Sequence, residues 1–302
     1  MKTPLWFSGQ GAQSVGMAKS LFNADAEVKE LFAKADETLG MPLSKYCFEG
    51  PMETLTKTSV CQPALFLHGI AVMLLLKKRG LLGGLKAAMG LSLGELTAHA
   101  AAETYSFEDG LRIVAERGRL MQEACDASKG AMACFIGGKI EDVKPYCDEF
   151  DVDMANLNCP GQIVISGEAE KIAAASAAAK SRGAFKMVVP LKVAGAYHSR
   201  LMEPARAQFE KFLEKIEFRA PKIAVFTNVT GERVSDPAEI KKALVKQIVS
   251  PVKWELCVRN AAALGVEKYF ECGPGGVLAG LAKRIDKSLD AKSIAEIGDF
   301  DQ

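Results

Sequence analysis

The stretch Gly90-Leu91-Ser92-Leu93-Gly94 constrains this chain more than any other. Gly-x-Ser-x-Gly is the pattern of a nucleophile elbow, in which a strand ends, the backbone turns sharply at the serine and a helix begins. Glycines on either side permit a backbone approach that any Cβ would block. The flanks fit this pattern. Ala87-Ala88-Met89 reads as a short buried strand, and residues 93–102 are rich in helix formers. The Ser92 oxygen would then lie at a helix N-terminus, where free N–H groups and the helix dipole favour a developing negative charge. The same pattern also arises by chance in a chain with 27 glycines, so it needs support from elsewhere in the sequence.

A serine nucleophile needs a base, and the chain has three histidines, His68, His99 and His198. His99 follows Ser92 on the same predicted helix. At ~1.5 Å of rise per residue it lies roughly 10 Å away, beyond hydrogen-bond reach. His68 sits inside the apolar run 64–76, which reads as a buried helix with a packed histidine. His198 follows the strand-like Met187-Val188-Val189-Pro190-Leu191 and lies in Ala194-Gly195-Ala196-Tyr197-His198-Ser199, just before a helix predicted over 200–216. A small-residue loop between strand and helix presents a side chain on a rigid frame, so His198 is the expected base.

Residues 107–124 read as a helix. Arg112, Glu116, Arg119 and Glu123 form its charged outer face. Arg117 stands instead among Ile113, Val114, Leu120 and Met121. A guanidinium pointing inward needs an anion, either an internal Asp or Glu or the carboxylate of a substrate. Periodicity alone leaves both open.

Thirty-eight basic against 37 acidic residues give a net charge of +1, which offers no case for nucleic acid or an anionic membrane as partner. The eight cysteines contain no Cys-x-x-Cys pair, which argues against a zinc cluster or a disulfide framework. Met1-Lys2-Thr3-Pro4 does not open a signal peptide, so a cytoplasmic protein with reduced thiols is expected. The run 64–76 is too short to span a bilayer.

The order of elements indicates an α/β fold. Leu5-Trp6-Phe7 reads as a strand leading into the loop Ser8-Gly9-Gln10-Gly11-Ala12-Gln13 and a helix near 16–22. That loop lacks the lysine of a Walker A motif, since Met17 stands there, and the third glycine of a dinucleotide fingerprint, since Ser14 stands there. Between 130 and 191 the pattern is β-α-β-β-α-β, the ferredoxin-like arrangement. After His198 strands and helices alternate again, ending in the strand Lys268-Tyr269-Phe270-Glu271, the turn Gly273-Pro274-Gly275-Gly276 and a final helix. The turn reads as tight strand-to-helix packing. Such alternation implies a parallel sheet covered on both faces. The expected organisation is a catalytic body of residues 1–128 and 196–302, with a ferredoxin-like insert at 129–195 and a cleft between them.

On these residues the chain resembles the malonyl-CoA:acyl carrier protein transacylases and the related acyltransferase domains of polyketide synthases. The motifs run from end to end. They are Gly9-Gln10-Gly11-Ala12-Gln13, Gln62-Pro63-Ala64, the elbow with Glu95, Arg117-Gly118-Arg119-Leu120-Met121-Gln122, Ala155-Asn156-Leu157-Asn158-Cys159-Pro160-Gly161-Gln162, Gly195-Ala196-Tyr197-His198-Ser199, Ser250-Pro251-Val252-Lys253-Trp254 and Gly273-Pro274-Gly275. The resemblance implies an α/β hydrolase-like parallel-sheet body with an inserted ferredoxin-like subdomain. It also implies a malonyl group carried on Ser92 from coenzyme A to the phosphopantetheine thiol of acyl carrier protein, with His198 as base. By the same resemblance the backbone N–H groups of Gln10 and Leu93 form the oxyanion hole. The main-chain carbonyl of Gln247 orients the histidine, Arg117 clamps the malonyl carboxylate, and Asn156 lines the cleft.

No cofactor or metal is expected beyond the coenzyme A thioester as substrate. The expected partners are malonyl-CoA and acyl carrier protein, and the expected state is a monomer. Two positions depart from the family pattern. Leu91 replaces the usual histidine before the nucleophile, and Tyr197 replaces the usual phenylalanine before the base. A ring at 197 still leaves little room for an α-methyl branch. A serine thioesterase or esterase, or a non-catalytic carrier-protein docking subunit, would share much of this pattern.

Overall fold

The computed structural model describes residues 4–266 and 268–301. Its main sheet is built from β1 (Leu5–Phe7), β2 (Ala87–Gly90), β7 (Ala224–Phe226), β8 (Arg233–Val234), β9 (Lys268–Cys272) and β10 (Asp290–Ile294), in the order β10-β9-β1-β2-β7-β8. Every pairing is parallel except β7 with β8, an antiparallel pair at the edge. Leu5 and Phe7 point into one core cluster and Trp6 into another. The central strand is therefore buried on both faces and reads as an unbroken apolar run, as a covered parallel sheet requires. Trp6 packs at a tilt on Tyr269, 4.5 Å between centroids, and meets Trp254 edge-on at 5.7 Å. On the other face lies the helix Thr58–Lys78, packed so closely that a Cβ at Gly69 would stand 2.9 Å from the Phe7 ring. Among the described residues this helix alone is long and apolar enough to cross a membrane. Its apolar window is 83% buried inside the protein, so here it is a core helix.

A second sheet holds β3 (Gly130–Ile136), β4 (Asp153–Cys159), β5 (Gln162–Glu168) and β6 (Met187–Pro190), in the order β4-β5-β3-β6 and antiparallel throughout. With the helices Ile140–Phe150 and Ala169–Ser181 it has ferredoxin-like connectivity and its own core around Phe135, Ile163 and Ile165. The chain leaves the first sheet's body and returns to it at neighbouring points. A Cβ on Gly130 would be 2.5 Å from the Ala196 nitrogen. The second sheet also touches the body directly. Leu157 N–H donates to the Val252 carbonyl and Val252 N–H to that of Ala155, both at 2.8 Å. Arg200 pairs with Asp151 and Asp153 at 2.5 and 2.8 Å.

Several elements differ from the sequence reading. The first helix after β1 runs Lys19–Ala24 rather than from 16. The segment after His198 is a 3₁₀ turn, Arg200–Met202, before the helix Glu203–Leu213. Strands β8 and β10 and the helix Ala26–Leu39 were not legible in the pattern. β10 is Asp-Ala-Lys-Ser-Ile, an edge strand buried only at Ile294, so it lacks the apolar run of its neighbours.

Candidate active site

In the parallel sheet, register decides which loops meet. Phe7 pairs with Gly90 and with Cys272, so the segments following β1, β2 and β9 emerge side by side at the strands' C-terminal edge. That edge is where open α/β sheets gather ligands. The Ser8–Gln10 loop lies against the elbow, since a Cβ on Gly9 would be 2.7 Å from the Leu91 carbonyl. The Gly273 turn lies against that loop in turn, with its Cβ position 2.5 Å from Ser8 Oγ.

The elbow forms as its glycines imply. A Cβ on Gly90 would be 2.1 Å from the Gly94 carbonyl carbon, and one on Gly94 would be 2.1 Å from the Phe7 oxygen. Ser92 sits at φ 55°, just before the helix Leu93–Ala101. Leu91 packs its side chain against the core cluster around Trp6 and Trp254 and donates its N–H to the Phe7 carbonyl at 3.3 Å. The N–H groups of Gln10 and Leu93 have no hydrogen-bond partner within the protein among the described residues.

Ser92 Oγ lies 2.7 Å from His198 Nε2, and His198 Nδ1 lies 2.8 Å from the Gln247 carbonyl. A carbonyl only accepts, so Nδ1 carries the proton and Nε2 offers its lone pair to the serine hydroxyl. Burial, with the nearby Arg117 charge, pushes the His198 pKa down to about 4, so the imidazole is neutral at ordinary pH.

Arg117, on the helix Phe107–Asp126, is 1% exposed. It donates to Gln62 Oε1 and Gln247 Oε1 at 2.8 Å each and to Ser92 Oγ at 3.1 Å, and its Nε has no partner. Among the described residues it makes no ion pair. The internal salt bridge that periodicity left open is therefore not formed. Burial lowers its pKa to about 10, still far above neutrality, so it stays a cation beside the serine oxygen.

The other histidines are elsewhere. His99 Nδ1 meets Thr104 Oγ1 at 3.1 Å, and His68 Nε2 meets the Ala295 carbonyl at 2.8 Å. Tyr197 is buried, with its hydroxyl 2.6 Å from Thr58 Oγ1 and accepting from Gln10 Nε2 at 3.2 Å. Asn156 lies on β4, where that strand bridges to Val252, and has no side-chain hydrogen bond to the serine cluster. Sequence reasoning missed Asn228 and the role of Glu95 here. Asn228 Oδ1 accepts the Ser92 N–H at 2.7 Å and its Nδ2 donates to the Gly90 carbonyl at 2.9 Å, bracing the turn from both sides. Its only sequence signal is a turn directly after a strand of the main sheet. Among the described residues no group of three His, Cys, Asp or Glu is placed to hold a metal ion.

A family model described as acyl transferase domain matches residues 6–301. The chain belongs to the acyl transferase domain family. A malonyl CoA-acyl carrier protein transacylase of Bacillus subtilis is 40% identical over 300 residues, covering 98% of this chain and 94% of that protein. Among solved structures, an acyl carrier protein S-malonyltransferase of Vibrio cholerae superposes with a TM-score of 0.95 at 39% identity, covering 100% of this chain and 99% of its own. A malonyl-transacylase solved in complex with its type II polyketide acyl carrier protein gives 0.94 at 36% identity, covering 99% and 97%. In this chain Leu91 and Tyr197 adjoin a cluster in which Ser92 Oγ is within hydrogen-bond distance of both His198 and Arg117.

Proposed function

We propose that the chain transfers a malonyl group from coenzyme A to the phosphopantetheine thiol of acyl carrier protein, in fatty acid or polyketide synthesis. The observation that carries this reading is Arg117, a buried cation without an ion pair, 3.1 Å from the oxygen of a serine held by a neutral histidine. A hydrolase that takes neutral acyl groups has no use for such a charge. A malonyl half-thioester brings a carboxylate to meet it.

The chemistry runs in two steps. His198 Nε2 takes the hydroxyl proton as Ser92 Oγ attacks the thioester carbonyl. The C–S bond breaks, and the proton passes from Nε2 to the departing coenzyme A sulfur. The carrier thiol then gives its proton to His198 and attacks the Ser92 ester, and Ser92 leaves as an alcohol by taking that proton back. Each tetrahedral oxyanion is received by the N–H groups of Gln10 and Leu93. Such a donor contributes on the order of 10²–10³ in rate elsewhere, and a positioned base ~10²–10⁴. Gln247 keeps the imidazole in the working tautomer without a buried acid. Asn156 and the Tyr197 ring bound the acyl pocket. These steps call for no metal or prosthetic group, with coenzyme A present only as the substrate's thioester. The reading includes a monomer, a body of residues 1–128 and 196–302 carrying a 129–195 subdomain, and a cytoplasmic location, which the buried free thiols support.

Labelled malonyl-CoA and acetyl-CoA test it. Malonyl label is expected on Ser92, absent from Ser92→Ala, and passed on to carrier protein. Two charge-assisted bonds from Arg117 correspond to a preference for malonyl over acetyl of roughly 10²-fold, which Arg117→Ala should erase while acetyl transfer holds. Rapid release of free malonate, or a malonyl adduct on another residue, would sink the proposal.

A further inference from the structure

Glu95 is fully buried in the first turn of the helix that begins after Ser92. It makes no ion pair among the described residues, and one of its oxygens, Oε1, has no hydrogen-bond partner. A buried carboxyl group is costly unless its polar atoms are engaged, and nothing in the two transfer steps uses this one. Its other oxygen accepts the Asn228 N–H at 2.9 Å and Gln247 Nε2 at 2.6 Å.

The Gln247 amide thus stands between the Arg117 guanidinium and the Glu95 carboxyl group. Its Oε1 accepts from Arg117 at 2.8 Å, and its Nε2 donates to Glu95 and, at 2.9 Å, to the Ser92 carbonyl. Flipped, the amide would set its NH₂ against the guanidinium, which only donates, and its oxygen against the Glu95 oxygen that already accepts the Asn228 N–H, so the two neighbours together allow one orientation. The same residue's main-chain carbonyl holds His198 Nδ1. Asn228, whose backbone sits on Glu95, braces Ser92 and Gly90.

We propose that Glu95 is the positioning residue of this site: it orients the Gln247 amide and holds the Asn228 backbone, and through them fixes the Arg117 guanidinium and the Ser92 turn. Its substrate consequence rests on the malonyl-transfer reading above. Its geometry does not. Without the acceptor, the amide is free to rotate. Arg117 then loses a fixed partner and selection by the acyl carboxylate relaxes, while Ser92 becomes less reactive.

The test compares Glu95→Ala, Glu95→Asp and Glu95→Gln. Ala removes the acceptor, Asp withdraws it by one methylene, and Gln restores it without the charge. For each, kcat/KM with malonyl-CoA and acetyl-CoA gives the selectivity, and the rate of Ser92 phosphonylation by a fluorophosphonate probe gives nucleophile reactivity. Folding is checked by thermal denaturation. The expected result is about a tenfold fall in the malonyl-to-acetyl ratio and in phosphonylation rate for Ala and Asp, with Gln within about threefold of wild type. A folded Asp or Ala variant with an unchanged ratio, its activity lost equally for both substrates, overturns the proposal by reducing Glu95 to a structural role. A Gln variant as impaired as Ala also overturns it, because charge and not the amide's orientation would then be responsible. Should the wild type fail to transfer malonyl at all, the functional reading falls. The phosphonylation series still decides the role of Glu95, since that reaction needs the serine and histidine but no malonyl group.

Discussion

Ser92 and His198 both adopt left-handed backbone angles, φ 55° and 58°, which few non-glycine residues tolerate. Such strain costs of order 1–3 kcal/mol per residue and persists only where surrounding contacts over-determine it. At Ser92 those contacts are the two bonds from Asn228, at His198 the Gln247 carbonyl. Burial lowers the His198 pKa to about 4, which means that the neutral, base-competent form survives well below the ordinary value of 6.5. The kcat/KM for acylation should therefore stay flat as pH falls from about 8 to about 5 and decline only below that. An inflection near 6.5 in the pH–rate profile would mean that the imidazole is solvated and not held as described.

At the scale of elements, the elbow works because strand, turn and helix approach closer than side chains permit. Gly94→Ala places a Cβ 2.1 Å from the Phe7 carbonyl, a backbone atom that cannot swing aside. Overpacking of this kind costs about 1–3 kcal/mol, and here it also pushes the helix start away from the Gln10 loop. The variant should melt several degrees lower and acylate at least about tenfold more slowly. Gly280→Ala is the control. It lies in the helix Val277–Ile285 with nothing within 4 Å of its Cβ position, and should be neutral or stabilising by about 0.5–1 kcal/mol. Equal melting temperatures and labelling rates for the two variants would show that the elbow relaxes freely.

Across the whole molecule, stability and function draw on different histidines. His68 and His99 are fully buried, with pKa values pushed by desolvation down from 6.5 to about 4 and about 3. The unfolded chain takes up their protons below about 6.5 while the folded one does not. Stability from these groups is thus full above that pH and is lost as pH falls toward about 4. Glu95 and Glu271, raised by burial, act in the opposite sense as pH rises. Comparison with His68→Asn and His99→Asn isolates the histidines. Between about pH 6.5 and 5 the wild type should lose about 1.6 kcal/mol relative to each variant, read by denaturant titration. Parallel curves would show that these imidazoles are hydrated in the folded state.

What the sequence determined by itself is local. The Gly-x-Ser-x-Gly spacing, the apolar stripe around Arg117, the helical distance that removes His99 and the β-α-β-β-α-β order of the second sheet are all written in neighbouring residues. They act through backbone sterics and periodicity. The edge strand β10 escaped because its half-exposed residues carry no apolar period. Long-range packing settles how Arg117 is answered and what holds the elbow. The bond from Ser92 to Asn228 spans 136 positions, and that from Gln247 to Glu95 spans 152. Periodicity could place Arg117 inward and show that a buried charge needs answering. It could not choose between an internal ion pair and an amide screen that leaves the cation hydrogen-bonded but without an ion pair. That choice depends on which side chains strand register and helix packing bring to one edge of the sheet. Nothing in the residues around Arg117 records that the amide of Gln247 stands between it and Glu95.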